Sequence, residues 1–250
     1  MSDPLVDYLR QCCLRVVGQR PGCGFFIAPQ LVVTCAHVVG RDCEMGTLIE
    51  LQERDAAAAP PGQGELVGLL PDEDVALLKT SISHAAYAPI SAEVRVEHGT
   101  LIGLGFTAAD KFDQFTAEYE GPTEYLGASG RREVKFKGGQ VEPGYSGGPL
   151  LNLNTCRVLG VVRTTRDKNE PEGGRAVEVP VVERLLQVCN LSLPAIDPKW
   201  TDAEAKQREG SALELGQLTL GQLRAALQQP NTERIEELSR SLGKNQNAIR

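Results

Sequence analysis

The sequence predicts a mainly β protein with a closed antiparallel architecture. Short apolar stretches of strand length recur at regular spacing from residue 12 to about residue 180, and Gly-rich turns separate them. Helical periodicity occurs only over 4–11 and after residue 180. The 250 residues are enough for one large domain, or for one domain with a small module.

The first half of the chain is expected to begin with a short helix over 4–11, in which Asp3 is the N-cap and Pro4 takes the first position. The strands expected after it are 12–17, two strands in a hairpin over 24–39, 65–70 and 75–79. The hairpin ends in a short helical turn that carries His37. Residues 53–64 combine charged residues with alanine, proline and glycine, and are predicted to form a loop.

The second half repeats the strand pattern. The strands expected here are 101–106, 132–137, 148–153, 157–164 and 174–180. Residues 107–130 are polar with poor periodicity, so they are predicted to form a long loop apart from a strand near 115–119. The apolar residues of 181–188 recur with helical spacing and predict a helix after the last strand.

Ser146 lies between glycines in the stretch Val-Glu-Pro-Gly-Tyr-Ser-Gly-Gly-Pro-Leu, residues 141–150. A serine hydroxyl becomes a nucleophile when a base takes its proton and backbone N–H groups stabilise the oxyanion. The alternative is a Gly-rich turn between two strands. All three histidines, at 37, 84 and 98, precede Ser146. This order excludes the nucleophile elbow of α/β-hydrolases, whose histidine follows the serine.

His37 and Asp74 are the candidate partners of Ser146. His37 follows two apolar strands, whereas His84 and His98 lie in polar surroundings and are assigned no role. Asp74 directly precedes the apolar residues 75–78. Asp72 and Glu73 are rivals by proximity, but they follow Pro71 in a predicted loop, and Asp74 is favoured. The order His, Asp, Ser is that of chymotrypsin-like proteases.

These segments resemble the trypsin-like serine protease superfamily over roughly residues 10–190. Pro143-Gly144-Tyr145-Ser146-Gly147-Gly148 is similar to the Pro-Gly-Asn-Ser-Gly-Gly of HtrA-type and bacterial intracellular members, and 174–180 is similar to their last strand. The resemblance implies two antiparallel six-stranded β-barrels and a terminal helix. It also implies a triad of His37, Asp74 and Ser146, with an oxyanion hole formed by the amides of Gly144 and Ser146.

The same resemblance implies that the substrate pocket is formed by 139–143, 161–165 and 174–179. The candidate substrate-binding residues in these segments are Gln140, Glu142, Pro143, Val162, Arg163, Thr164, Ala176 and Glu178. Glu142 and Glu178 would favour a basic substrate side chain if they reached the pocket. Carboxylates that simply face solvent are the favoured alternative.

Two positions depart from the secreted members of the family. Val38 stands where they have a cysteine, so their disulfide next to the catalytic histidine is not expected here. Tyr145 stands where they have the aspartate that pairs with a newly cut amino terminus, and a neutral phenol cannot form that ion pair.

Composition excludes several classes of function. A net charge of −7 gives no basic footprint for nucleic acid, and no apolar run is long enough to cross a bilayer. The seven cysteines lack zinc-ligand spacing, and neither a metal nor a cofactor is expected. The amino terminus does not resemble a secretory signal, and with the odd number of cysteines this predicts a cytoplasmic protein with reduced thiols.

The composition changes after Cys189. The expected organisation is a protease domain over 1–193, a linker over 194–212 and a small helical module over 213–250. The module resembles the helical recruitment domains of bacterial conflict and immune proteases, which implies a protein partner or self-association. The alternative for the whole chain is a barrel that keeps the motifs but acts as a scaffold or chaperone.

Overall fold

A computed structural model describes residues 3–53, 61–82, 86–90, 99–107, 111–124, 132–166, 170, 172–210 and 220. The elements within these residues are α1 (Pro4–Gln11), β1 (Cys13–Val17), β2 (Pro21–Ala28), β3 (Leu31–Thr34), α2 (Ala36–Val39), β4 (Leu48–Glu53), β5 (Gly62–Leu70), β6 (Val75–Thr80), β7 (Thr100–Phe106), β8 (Phe112–Glu124), β9 (Arg132–Lys137), β10 (Pro149–Asn152), β11 (Arg157–Thr165), β12 (Gly174–Glu178) and α3 (Val179–Val188).

The strands form two closed antiparallel barrels of six strands each. The strand order is β1-β2-β3-β6-β5-β4 in the first barrel and β10-β11-β12-β9-β8-β7 in the second. The fold class expected from the sequence is therefore confirmed. Closure pairs every strand on both sides, which removes the exposed edges that would otherwise invite aggregation.

Apolar side chains fill the interior of each barrel. In the first barrel β3 is buried along its whole length, and its neighbour β6 is buried except at Lys79. In the second barrel Phe115 and Phe136 stack with ring centroids 5.5 Å apart, and Tyr145 joins the same buried cluster. The loop that carries Ser146 is thus anchored in the core of the second barrel by Tyr145.

Several predicted boundaries are wrong, and β4 was not predicted. β2 begins at Pro21, three residues before the predicted hairpin. Gly62-Gln63-Gly64 belongs to β5 because it pairs with β4, and β8 runs over thirteen residues because β7 and β9 pair along its two sides. The last strand ends at Glu178, since Val179 and Pro180 already belong to α3. Proline fits the first turn of a helix, where its missing N–H would have no intrahelical acceptor.

The chain divides into two compact units, and both barrels lie in the unit Val6–Trp200. Trp200 is fully buried there and meets the Tyr8 ring edge-on at 5.7 Å, while Tyr8 donates a hydrogen bond of 2.5 Å to Asp197. The other unit contains Met1–Leu5 and Thr201–Arg250, and its residues 201–210 are helical. Apart from Leu220, the predicted module over 213–250 lies outside the described residues.

All seven cysteines are free. Among the described residues, no helix combines the length and the apolar character needed to cross a bilayer.

Candidate active site

A cavity of about 1300 Å³ is lined by residues of both barrels. It is lined by Gln19, Arg20, Pro21, His37, Arg41, Asp42, Asp74, Gln140, Val141, Glu142, Pro143, Gly144, Ser146, Arg163, Thr164 and Thr165. The three residues of the predicted triad therefore open onto one space.

Strand pairing brings His37 and Asp74 together. His37 lies on α2, just after β3 ends, and Asp74 lies just before β6 begins. Since β3 and β6 are antiparallel neighbours, with Thr34 opposite Ala76, these two ends meet. On α2 the neighbours Ala36, Val38 and Val39 are buried, so that short turn is packed while the His37 side chain remains 20% exposed.

The carboxylate of Asp74 is held by His37 at both oxygens. His37 Nδ1 lies 2.8 Å from Oδ2 and 3.0 Å from Oδ1, and the His37 backbone N–H donates to Oδ1 at 2.9 Å. Asp74 is 1% exposed and has a positive φ of 64°, a conformation that aspartate tolerates better than most residues. Of its rivals, Asp72 is exposed and Glu73 pairs with Arg184.

Two arginines lie beside the same carboxylate. Arg163 Nε donates to Asp74 Oδ2 at 2.8 Å, and an Arg41 nitrogen lies 3.8 Å from Oδ1. Burial opposes ionisation of Asp74, but the hydrogen bonds from His37 and Arg163 outweigh it, so the pKa of Asp74 is lowered. Because the folded pKa is depressed, this contribution to stability is present at neutral pH and is lost as the pH falls through the folded value.

Ser146 is fixed between the two barrels. Its carbonyl accepts from Cys23 N of β2 at 2.8 Å, and the next amide, Gly147 N, donates to Val162 O of β11 at 2.8 Å. Among the described residues, the hydrogen bond of Ser146 Oγ goes to the carbonyl oxygen of Arg163 at 2.9 Å, not to His37.

The turn before Ser146 contains the two amides that the sequence predicts for the oxyanion hole, those of Gly144 and Ser146. Tyr145 N donates to Glu142 O at 3.2 Å, and Gly144 has a φ of 106°, which indicates a type II turn with Pro143 at the position proline favours. A Cβ at Gly144 would lie 2.1 Å from the carbonyl oxygen of Phe106. In the hydrogen bonds of the described backbone, the amides of Gly144 and Ser146 have no acceptor.

The buried side chain of Tyr145 anchors this turn in the core of the second barrel. It is 2% exposed, and its ring meets Phe115 edge-on with centroids 5.4 Å apart. Burial raises the pKa of its phenol, so the side chain is neutral. Aromatic packing thus occupies the position where secreted relatives have an aspartate.

The predicted pocket residues divide into two groups. Gln140, Glu142, Pro143, Arg163 and Thr164 line the cavity, and Glu142 faces solvent. The other three lie outside its lining: Val162 and Ala176 are fully buried in the core, and Glu178 ends β12 near Tyr119.

Loops of the first barrel supply the cavity residues that the sequence did not indicate, Gln19, Arg20, Pro21, Arg41 and Asp42. No motif marks them, because their role depends on how the two barrels meet.

One group of described side chains has atoms that a metal ion could use. Ligand-type atoms of Cys35, His37 and Asp74 lie within 4.8 Å of one another. Asp74 already accepts from His37 and Arg163, and Cys35 Sγ donates to Val162 O at 3.3 Å. Burial raises the pKa of Cys35, which favours the thiol over the thiolate that binds metals. The hydrogen bonds of Asp74 and the protonated Cys35 thiol make these three side chains better suited to proton transfer than to metal binding.

The sequence of this chain is similar to those of known serine proteases. The family profile described as a trypsin-like peptidase domain matches residues 22–161. Two curated serine proteases of Mycobacterium tuberculosis, MT3772 (strain CDC 1551) and Rv3671c (strain H37Rv), are each 30% identical over 170 residues, which is 64% of this chain. The chain spans 40% of the length of these relatives.

Solved structures show the same fold. The active form of the Rv3671c protease from M. tuberculosis has a TM-score of 0.62 at 24% identity, covering 78% of this chain and 88% of that one. The HtrA-type protease AlgW with tripeptide has a TM-score of 0.61 at 16% identity, covering 74% and 62%.

Proposed function

Because the chain belongs to the trypsin-like peptidase family, we propose that it is a serine endopeptidase in which Ser146 is the nucleophile, His37 the general base and Asp74 the acid that orients His37. The observation that carries the proposal is the hydrogen bond between His37 and the buried Asp74, in a cavity that Ser146 also lines. With Nδ1 bound to Asp74, the other ring nitrogen, Nε2, is the atom that can accept a proton.

The proposed reaction proceeds through an acyl-enzyme. Ser146 Oγ leaves the carbonyl of Arg163, transfers its proton to His37 Nε2 and attacks the scissile carbonyl carbon. The amides of Gly144 and Ser146 stabilise the oxyanion, and Asp74 stabilises the imidazolium without taking its proton. His37 then protonates the leaving amine, and a water molecule activated by His37 releases the acid.

A fluorophosphonate probe tests this function directly, because it phosphonylates only a serine that a base activates. We expect labelling of folded protein on the peptide that contains Ser146, and none on unfolded protein. The variant Ser81→Ala, at an exposed serine outside the cavity lining, is the matched control and should label like the wild type. Labelling spread over several serines, or absent, would contradict the proposal.

The second candidate is a barrel that binds proteins without cutting them. The observation that favours it is the hydrogen bond from Ser146 Oγ to Arg163 O, because among the described residues the hydroxyl donates to this carbonyl and not to His37. A protein that never labels, yet binds unfolded polypeptides with unchanged affinity after Ser146→Ala, would have this function. Labelling of the isolated protein excludes it.

The residues after Trp200 are proposed to recruit a protein partner or a second copy of the chain. The support is the sequence pattern of 213–250, in which the spacing of Thr219 and Gln222 is that of a capping box, followed by leucines at helical spacing. The contacts of Trp200 indicate that a truncation should keep the chain up to residue 200. A cut after residue 193 would remove Trp200 and Asp197 from a compact unit that contains both.

We therefore expect different outcomes from two truncations. Protein ending at residue 200 should keep the melting temperature and probe labelling of the full chain while losing its partner or self-association. Protein ending at residue 193 should be destabilised, because loss of a buried tryptophan costs about 3–5 kcal/mol. Thermal melts, labelling and sedimentation of both proteins measure this. Equal stability of the two truncations, or loss of labelling in the longer one, would contradict it.

The proposed location is the cytoplasm, and the proposed role is that of a bacterial defence or signalling protease. Support comes from the seven free cysteines, which suit a reducing compartment. Trapping of unreacted thiols in freshly lysed source cells measures this, and disulfides found in the native protein would contradict it.

A further inference from the structure

We propose that Arg163 is a positioning residue of the active site, whose guanidinium fixes the carboxylate of Asp74 against His37. This inference rests on the proposed protease function. The sequence indicated Arg163 as a wall of the substrate pocket, but its side chain is directed to the triad acid.

The two donors on Asp74 Oδ2 define the orientation of the carboxylate. His37 Nδ1 and Arg163 Nε each lie 2.8 Å from this oxygen, and the backbone N–H of His37 lies 2.9 Å from Oδ1. A carboxylate with donors on both oxygens cannot rotate without breaking a charge-assisted hydrogen bond. Arg163 therefore keeps Oδ2 in the orientation in which it accepts the hydrogen bond from His37 Nδ1.

The far side of the guanidinium is held as firmly. Arg163 Nη1 donates to Glu133 Oε1, and the other oxygen of Glu133 accepts from Arg175 Nη1 at 3.1 Å. Glu133 is fully buried and Arg163 is 17% exposed. A planar fork can bridge two carboxylates in fixed directions, which the single ammonium of lysine cannot do. This explains why a carboxylate is buried on β9, outside the lining of the cavity.

A β-bulge directs Arg163 to this position. In the pairing of β11 with β12, Val162 lies opposite Ala176 and Thr164 opposite Arg175, so Arg163 is the extra residue between them. Bulges interrupt the alternation of a strand and re-aim one side chain. Here the bulge points an arginine of the second barrel at the acid of the first, while its carbonyl accepts from Ser146.

The charge of Arg163 also gives the proposal a pH signature. Within the described part of the chain, the titratable and charged side chains that face Asp74 are Cys35, His37, Arg41 and Arg163. A cation beside Asp74 opposes the attraction between its carboxylate and the imidazolium. Removing that cation should strengthen this attraction, which moves the acid limb of kcat/KM to higher pH.

The test compares Arg163→Met with Arg175→Met. Both variants remove an arginine from Glu133, but only the first removes a donor from Asp74. For Arg163→Met we expect kcat to fall roughly tenfold to a hundredfold, the value of one charge-assisted hydrogen bond, with KM nearly unchanged. The acid limb should move to higher pH. Arg175→Met leaves both donors on Asp74, so it should lower kcat far less and leave the acid limb in place. Arg163→Lys should restore the acid limb but only part of kcat.

A readout independent of turnover separates this inference from the proposed function. In a Ser146→Ala background, the low-field NMR resonance of the proton between His37 Nδ1 and Asp74 should shift or broaden in Arg163→Met and stay unchanged in Arg175→Met. If Arg163→Met does not fold, Arg163→Met/Glu133→Gln also removes the charge of the buried carboxylate that lost the Arg163 donor, and it should show the same NMR change. An inactive wild type with this NMR pattern would refute the protease while keeping the inference. An unchanged resonance in both Arg163 variants would overturn the inference.

Discussion

Replacing Ser146 with alanine is expected to lower kcat/KM for peptide hydrolysis by about 10⁶-fold, and His37→Ala should lower it by a similar factor. The side chain of Ser146 makes one hydrogen bond among the described residues, to Arg163 O, so its removal should leave the melting temperature almost unchanged. Steady-state hydrolysis of a fluorogenic peptide, together with thermal melts, measures both effects.

The double variant distinguishes a catalytic unit from two independent contributions. Because nucleophile and base act in the same step, Ser146→Ala/His37→Ala should be hardly less active than either single variant. Ser81→Ala, at an exposed serine outside the cavity, should hydrolyse peptide at the wild-type rate. Substantial hydrolysis by Ser146→Ala that survives repurification would exclude Ser146 as the nucleophile.

The second large effect is expected from Gly144→Ala, which should lower kcat roughly 10²–10³-fold, the value of one oxyanion donor. The new Cβ would lie 2.1 Å from the Phe106 carbonyl oxygen, at a residue whose φ is 106°. The turn must therefore move, and the amide of residue 144 moves with it. Stopped-flow acylation by a fluorogenic ester measures the loss at the acyl transfer step.

Gly121→Ala is the matched control for this variant. Gly121 also has a positive φ, 135°, but a Cβ there would meet no atom within 4 Å. It therefore carries the backbone strain of the substitution without the steric clash, and it should keep wild-type acylation. Equal losses in both variants would show that strain, rather than the position of the Gly144 amide, causes the defect.

Local patterns carried most of the information about the fold. The run from Leu31 to His37 combines β-branched and apolar residues with a small residue before the histidine, and the structure forms β3 followed by α2 there. Pro143-Gly144 predicts a turn by its own chemistry, since proline suits the second position of a type II turn and glycine the third. The order of His37, Asp74 and Ser146 then indicated one kind of double barrel.

Longer pairings were harder to predict. Residues 112–124 are polar and poorly periodic, yet they form β8 because β7 and β9 supply backbone partners along both its sides. Gly62 and Gly64 weaken strand propensity, but pairing with β4 includes them in β5. In both places hydrogen bonds to distant segments override local preference.

The sequence by itself determined the strand-rich class, the turn before Ser146 and the three residues proposed for catalysis, because each depends on neighbours along the chain. Only the tertiary structure decided that Ser146 Oγ bonds to Arg163 O, that Tyr145 anchors its loop in the second core, and that Trp200 belongs to the unit that contains the barrels.

The tertiary structure also decided the role of Arg163. The direction of its side chain depends on a bulge and on the carboxylate of Asp74, 89 positions away. Alternation along a strand predicts which face a side chain occupies only while the register is regular. Where the register shifts, the direction of a side chain follows from the partner strand, and that information is absent from local sequence.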